Sequence, residues 1–269
     1  MKTTPFRLAG LAVCVVALTS FTLNYSSPGP VAVSNLGQYL WCTLNGVPVT
    51  QLTSSPDEAM QPESPKAGWK TLFDGKSTKG WHTYLKQDIS PLWAVEDGAL
   101  TLTGKGAGDI VTDQQYGDFE LELEWKISEG GNSGIMYHVQ EDPKFKATYN
   151  TGPEMQVLDD ERHPDAKQGT NGNRTAGSLY DMLPPAKKVT KPAGQWNKVK
   201  LIIKNNKAEH WMNGVKTVEY PTSGPEWDKM VAGSKFKGWE GFGKYAKGRI
   251  ALQDHGDKVW FRNIRIREL

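Results

Sequence analysis

Cysteine is nearly absent from this chain: Cys14 and Cys42 are the two in 269 residues. Cys14 lies within an N-terminal apolar stretch that reads as a removable export signal, so a mature chain keeps Cys42 alone. That excludes an internal disulfide and a cysteine-based metal site, and stability has to come from a packed core. Charge bias is lacking as well. There are 32 Lys and Arg against 30 Asp and Glu, and loss of Lys2 and Arg7 with the signal brings the counts level. Nothing in that balance attracts nucleic acid or anionic lipid. An apolar run long enough to span a bilayer is also missing. The stretch from Leu8 to Leu18 is interrupted by Gly10 and falls short of the roughly 20 residues a membrane helix needs. The five histidines show neither His-x-His nor His-Glu-x-x-His spacing, which leaves no sequence motif for a transition metal.

Residues 1–24 have the layout of a signal peptide: Lys2 and Arg7, then the apolar stretch, then polar residues from Thr19. Leu11-Ala12-Val13-Cys14 resembles a lipidation site, but Val15 to Leu18 continue the apolar run, which a lipidated cysteine should end. An exported, periplasmic or extracellular protein without a lipid anchor is expected. Residues 25–67 are rich in Ser, Thr and Gly, with Pro28, Pro30, Pro56, Pro62 and Pro65, and read as a linker. Within it Leu36, Tyr39, Leu40, Trp41 and Leu44 leave open a small hairpin or a segment docked on the domain. Residues 68–269 form one globular domain, a size that buries a substantial core.

Strand signals dominate that domain. Phe119, Leu121, Leu123, Trp125 and Ile127 alternate with Glu120, Glu122, Glu124 and Lys126, a period of two that separates an apolar from a charged face. The glycine-rich Ser128 to Asn132 then reads as a turn, with Ser133 to Gln140 as the partner strand. A second hairpin system runs from Trp196 to Tyr220 and turns at Asn213-Gly214, a pair suited to positive φ at both central positions. Pro225 to Ala232 is the one plausible helix, with Pro225 in its first turn and Gly233 at its end. Arg249 to Gln253 and Lys258 to Arg267 close the chain as strands. Many short strands joined by glycine and proline turns specify an all-β sandwich of two antiparallel sheets with one short helix.

The candidate chemistry lies in Asn150 to His163, where polar groups occupy positions a core strand would fill with apolar ones. Glu154 and Gln156 share one strand face, Met155 and Val157 the other. A one-residue bulge would bring Asp159 into the same row; without it, Asp159 and Asp160 open a turn. Further polar candidates are Tyr137, His138, Arg174, Tyr180, Asp181, His210, Gln253 and His255. His255 ends a strand at a glycine turn, where a side chain can overhang a cleft. Each histidine alone is more often a structural hydrogen bonder. The chain also has 10 tryptophans and 9 tyrosines, whose faces can stack on sugars, although most belong in the core of a sandwich.

Taken in order, several pieces resemble the 3-keto-disaccharide hydrolase family, whose members have a concanavalin A-like jelly-roll fold. They are Leu72-Phe73-Asp74-Gly75-Lys76 with Gly80-Trp81, Trp93-x-Val95-Glu96-Asp97-Gly98, Gly117-Asp118-Phe119-Glu120-Leu121 and Gly131-Asn132-Ser133-Gly134-Ile135. Glu154-x-Gln156-x-x-Asp159, Gly177-x-Leu179-Tyr180-Asp181, His210-Trp211-x-Asn213-Gly214, Ile250 to Gly256 and Phe261-Arg262-Asn263-Ile264 follow. The resemblance implies cleavage of glycosides whose C3 hydroxyl a separate sugar 3-oxidoreductase has converted to a ketone. Elimination across C1 and C2 followed by hydration would give net hydrolysis. It needs a base near C2, donors to the enolate oxygen and an acid for the leaving group. Glu154 or His255 is the expected base, with Asp159 or a tyrosine aiding the leaving group. Gln156 and Gln253 would orient the sugar, with Tyr137, His138, Arg174, Tyr180, Asp181 and His210 around it. A divalent cation held by oxygen and imidazole ligands is an alternative electrophile, and no metal ligands are assigned. Two other readings stand beside this one: a retaining glucanase with a Glu-x-Asp-x-x-Glu row, and a glycan-binding module without catalysis.

Overall fold

The computed structural model describes residues 68–269 and, ahead of them, two short strands, β1 (Cys42–Leu44) and β2 (Val47–Val49). These two pair antiparallel with each other, within a unit of residues 1–61 distinct from the unit of residues 62–269. The export signal and most of the linker lie outside the described residues. No helix among the described residues is long and apolar enough to cross a membrane.

The second unit contains β3 (Lys70–Thr71), β4 (Trp81–Thr83), β5 (Trp93–Glu96), β6 (Ala99–Leu102), β7 (Ile110–Thr112), β8 (Phe119–Ile127), β9 (Asn132–Val139) and β10 (Glu154–Leu158). After these come β11 (Asn197–Lys204), β12 (Lys207–Met212), β13 (Val215–Pro221), helix α1 (Pro225–Ala232), β14 (Arg249–Leu252) and β15 (Val259–Glu268). One sheet has the order β13-β12-β11-β8-β15-β6-β5, with β3 added beside β15, and the other the order β10-β9-β14-β7-β4. Both are antiparallel, as a sandwich requires.

Strand β8 shows why the sheets pack. Phe119, Leu121, Leu123, Trp125 and Ile127 are all buried and share one core with Ile135, Tyr137, Met155, Val157, Ile250 and Leu252 of the opposite sheet. Each such side chain stabilises the fold by about 1.5–3 kcal/mol through burial. On the outward face Glu124, Glu122 and Glu120 meet Arg262, Arg265 and Arg267 of β15. A register shift between Arg262 and Arg265 makes this possible, because Asn263 takes a positive φ of 54° and the alternation restarts after it. Trp69, Trp196, Trp211 and Trp260 lie under Lys or Arg side chains on the charged strands, while Trp81, Trp93, Trp125 and Trp227 are buried.

The expected hairpin between β8 and β9 is not formed. Strand β8 pairs with β11 and β15, whereas β9 pairs with β10 and β14, so the glycine-rich stretch carries the chain from one sheet to the other. The reason lies in the second face of each strand. That of β8 is charged and matched by β15, whereas β9 is buried over its whole length. The Asn213-Gly214 turn is present with φ of 50° and 82°, and Asn205-Asn206 makes a similar turn with φ of 51° and 60°. Helix α1 covers the predicted residues and buries Trp227 between Tyr220 and Phe242.

Replacing Leu121 by Ala should lower unfolding free energy by about 2–5 kcal/mol. Glu122→Gln, on the same strand but facing out, should change it by less than about 1 kcal/mol. Denaturant titration of the two variants tests the assignment of faces, and equal losses would contradict it.

Candidate active site

The second sheet turns one face to the core and carries polar groups on the other. Alternation along β10 sends Met155 and Val157 inward and leaves Glu154 and Gln156 on the opposite face. Register places Glu154 opposite Met136 and Gln156 opposite Gly134 of β9. The Glu154 side chain runs along the sheet to lie over Gly134: a Cβ at residue 134 would sit 2.1 Å from Oε1 and 2.7 Å from Cδ. Its carboxyl therefore occupies a hollow that exists because residue 134 has no side chain. Glu154 is 6% exposed, and its carboxyl accepts no hydrogen bond from the described residues. Burial pushes it up to about 8; Lys235 opposes the shift, and Asp109 and Asp165 add to it.

Lys235 follows α1 and places its ammonium 4.1 Å from the centre of the Tyr180 ring. Its backbone N–H donates to Asp181 Oδ2 at 3.0 Å. Partial burial lowers its pKa, against the attraction of Glu154 and Asp181. Arg174 joins the wall: Nε donates to Asp181 Oδ1 at 2.7 Å and Nη1 to Asp165 Oδ1 at 2.9 Å. The Tyr180 hydroxyl donates to Asp165 Oδ2 at 2.8 Å, and burial with that carboxylate raises its pKa. The half-buried Asp109 accepts from the Thr148 hydroxyl and from Asp254 N–H at 2.9 Å; burial raises its pKa, and neighbouring His255 lowers it.

At the end of β14, Gln253 N–H pairs with Gly134 O, and its side-chain amide makes no hydrogen bond among the described residues. The exposed His255 ring meets that of His163 edge to face at 5.9 Å. Ligating atoms of His163, His255 and Asp257 lie within 4.8 Å of one another, a donor set of the kind divalent ions use. Two of the three are already engaged. His163 Nδ1 accepts Asp165 N–H at 3.1 Å, and Asp257 Oδ2 accepts Asn132 N–H at 3.1 Å. To bind a metal His163 would have to give up that hydrogen bond or the proton on Nε2, whereas Asp257 keeps Oδ1 and His255 makes no hydrogen bond among the described residues.

Several sequence-predicted residues lie elsewhere. Strand β10 pairs with β9 without a bulge, and Asp159 stays out of the row. Its carboxylate accepts N–H groups of Gly130 (2.7 Å) and Glu161 (3.1 Å) and pairs with Arg162, and these contacts outweigh burial and lower its pKa. Asp159 is thus a turn former. Tyr137 points into the core, where its hydroxyl bonds to that of Tyr220, which in turn bonds His210 Nε2 at 2.9 Å. Burial holds the His210 imidazole down at about 3, so it is neutral in the core. His138 is buried and bonds Gly117 O at 2.9 Å. Gln156 lies in the row, its Oε1 accepting Val157 N–H and its Nε2 donating to Arg174 O.

Sequence reasoning missed Lys235, Asp109, Asp165 and His163. His163-Pro164-Asp165 carries the one local signal among them, a polar residue ahead of a proline that starts the short 3₁₀ turn Pro164–Lys167. A cleft of about 520 Å³ lies between α1 and the 237–246 segment, lined by Trp227, Trp239 and Phe242. It holds Asp228 as its one carboxylate, without the convergent groups found around Glu154.

A family model described as 3-keto-alpha-glucoside-1,2-lyase-like domain matches residues 68–267. A Bacteroides thetaiotaomicron protein named 3-keto-disaccharide hydrolase is 39% identical over 228 residues, covering 75% of this chain and 79% of that protein. Among solved structures, a Parabacteroides distasonis protein described as a "putative glycosyl hydrolase" is 36% identical with a TM-score of 0.69, over 75% of this chain and 94% of that one. A second from the same species, described alike, is 29% identical with a TM-score of 0.59, over 75% and 99%.

Gly134→Ala should leave the fold intact, because the added methyl meets the movable end of a side chain and not backbone. It should displace the Glu154 carboxyl and reduce turnover by about 100-fold, the low end of what a positioned base supplies. Calorimetry beside an activity assay checks both parts, and wild-type turnover would remove the hollow from the site.

Proposed function

The chain belongs to the 3-keto-alpha-glucoside-1,2-lyase-like family, and from that premise we propose that it cleaves glycosides bearing a ketone at C3. One observation carries the reading: the Glu154 carboxyl, buried over Gly134 without a hydrogen-bond partner among the described residues, is raised to about 8 within the field of the Lys235 cation. A base of that kind suits removal of a proton next to a carbonyl. The names of the Bacteroides and Parabacteroides relatives support a carbohydrate hydrolase.

The C3 carbonyl acidifies the proton on C2. Glu154 takes that proton and the electron pair passes to the carbonyl oxygen as an enolate. The enolate then re-forms the ketone and expels the C1 substituent, whose oxygen receives a proton from His255, exposed at the rim. Water adds to the resulting enone: its oxygen bonds to C1 as His255 takes one of its protons, and Glu154 returns its proton to C2. Atoms balance to a net hydrolysis. Lys235 keeps part of Glu154 ionised and offsets the negative charge that moves through the site. Gln253 has a free amide for the sugar hydroxyls, and Tyr180, Arg174 and Asp181 form a wall fixed by their mutual bonds. The substrate ketone has to come from a sugar 3-oxidoreductase, and the signal-like layout of residues 1–24 supports a site of action outside the cytoplasm. A retaining glucanase would need a second free carboxylate in the row, where Gln156 is an amide and Asp159 is committed to its turn.

Purified protein should release sugar from a 3-keto disaccharide and leave the unoxidised disaccharide and a β-glucan untouched. Release from the glucan, or binding without release, would replace this reading. Glu154→Gln should lower the rate by at least about 100-fold, and C2 proton exchange in heavy water should fall with it.

The pH dependence has a definite sign. Exchange of the C2 proton, the step that needs the base alone, should rise as pH passes through about 8, because Glu154 works ionised and is held protonated below that by burial and by Asp109 and Asp165, against Lys235. Stability should run the other way. A raised carboxyl pKa favours the folded state at low pH, and that advantage is lost as pH climbs from the unfolded value of 4.5 through about 8. Glu154→Gln should therefore melt above wild type at pH 9, with the gap narrowing toward pH 5. A gap independent of pH would show that Glu154 carries no perturbed proton.

A further inference from the structure

Proton removal beside a ketone also requires a donor at the ketone oxygen, and no residue has yet been given that part. We propose that His163 supplies it, as a neutral imidazole locked in the Nε2–H tautomer that donates to the C3 carbonyl oxygen and to the enolate formed from it. The inference rests on the reading of Glu154 as the base.

The tautomer follows from one hydrogen bond. Asp165 N–H donates to His163 Nδ1 at 3.1 Å, and a backbone amide has no lone pair to offer in return. Nδ1 must therefore hold its lone pair, and the ring proton sits on Nε2. The arrangement is anchored on both sides. Pro164 restricts His163 to extended backbone, with φ −70° and ψ 132°, and His163 N–H donates to Asp159 O at 3.0 Å. On the other side the Asp165 carboxylate takes Arg174 Nη1 at 2.9 Å and the Tyr180 hydroxyl at 2.8 Å, so the amide that fixes the ring cannot drift. Tyr180 spans the two: its N–H donates to Glu154 O at 3.0 Å and its hydroxyl to Asp165 Oδ2 at 2.8 Å, which sets this turn one tyrosine's length from the strand of the base. The His163 ring is half-buried and edge-on to His255, the residue given the leaving group.

A neutral N–H suits an enolate better than an imidazolium does. It stabilises the developing negative oxygen yet keeps its own proton, so the enolate survives to expel the C1 substituent. A histidine held neutral by a backbone N–H serves other enzymes that enolise a ketone. The bond to Asp165 also argues against a cation on His163, His255 and Asp257. A metal there would have to displace the amide from Nδ1 or strip the proton from Nε2.

Nitrogen-15 NMR of the wild-type protein at pH 8, with histidine labelled and His163 assigned through His163→Gln, should show Nδ1 unprotonated and Nε2 bearing hydrogen. With a 3-keto disaccharide, His163→Ala should lower kcat by about 100-fold, the usual loss of one such donor, with KM little changed and C2 proton exchange reduced in parallel. His163→Gln, whose amide N–H can reach the same oxygen, should recover at least tenfold of that loss. An Nδ1–H tautomer, wild-type kcat in His163→Ala, or no recovery in His163→Gln would each overturn the proposal. So would titration with Zn²⁺ or Mn²⁺ that moves the His163 signals, together with activity lost to a chelator and restored by the metal. Glu154→Gln separates the two levels. If it abolishes turnover while His163→Ala does not, this inference alone fails; if it leaves turnover intact, the base assignment fails first.

Discussion

A carboxyl group held out of water with no hydrogen bond is the constraint around which this domain is arranged. Glu154 is tolerated there because its strand is fixed by other means: Met155 and Val157 are locked into the core on the reverse face, and β9 pairs with the whole of β10. Gly134 supplies the space, and Lys235 keeps ionisation within reach. Replacing the core anchor or the glycine would let the carboxyl leave its hollow, whereas loss of the cation would push its pKa higher still; each would take away a condition the proposed base depends on.

The two sheets treat polar groups in opposite ways. On the outward face of β8 every glutamate meets an arginine of β15, and tryptophans lie under the cations, so the charge is spent within the surface itself. Ladders of that kind add little stability, but they blunt a sheet face that would otherwise invite association. On the second sheet the polar face is incompletely matched. Glu154, the Gln253 amide and the His255 ring have no hydrogen-bond partner among the described residues, and a ligand would supply what is missing.

Much of this was legible in the sequence wherever local pattern sets structure. The alternation of Phe119 to Ile127, the Asn213-Gly214 turn, the limits of α1 and the separation of Glu154 from Met155 all follow from period and turn chemistry. Failures came where one local signal admits two tertiary answers. The glycines before β9 looked like a hairpin turn and make a crossing between sheets, because pairing is decided by the outward face of β8. Tyr137 and His210 looked like ligand contacts and instead satisfy each other through Tyr220 inside the core. Lys235 and Asp109 carry no local mark at all, since what matters is their approach to Glu154 from distant segments.

The acids of residues 159–181 sharpen the distinction between scaffold and chemistry. Asp159 holds the Gly130 and Glu161 amides, Asp160 takes Ala176 N–H and the Thr190 hydroxyl, Asp165 binds Arg174 and Tyr180, and Asp181 binds Arg174 and the Lys235 backbone. Each of these carboxylates has its lone pairs committed to keeping the wall in place, and a committed carboxylate is a weak base. Glu154 is buried like Asp159 and Asp165, and unlike them it accepts no hydrogen bond from the described residues. A proton from substrate is a bond the Glu154 carboxyl is still free to make, and that is the part the proposed mechanism gives it.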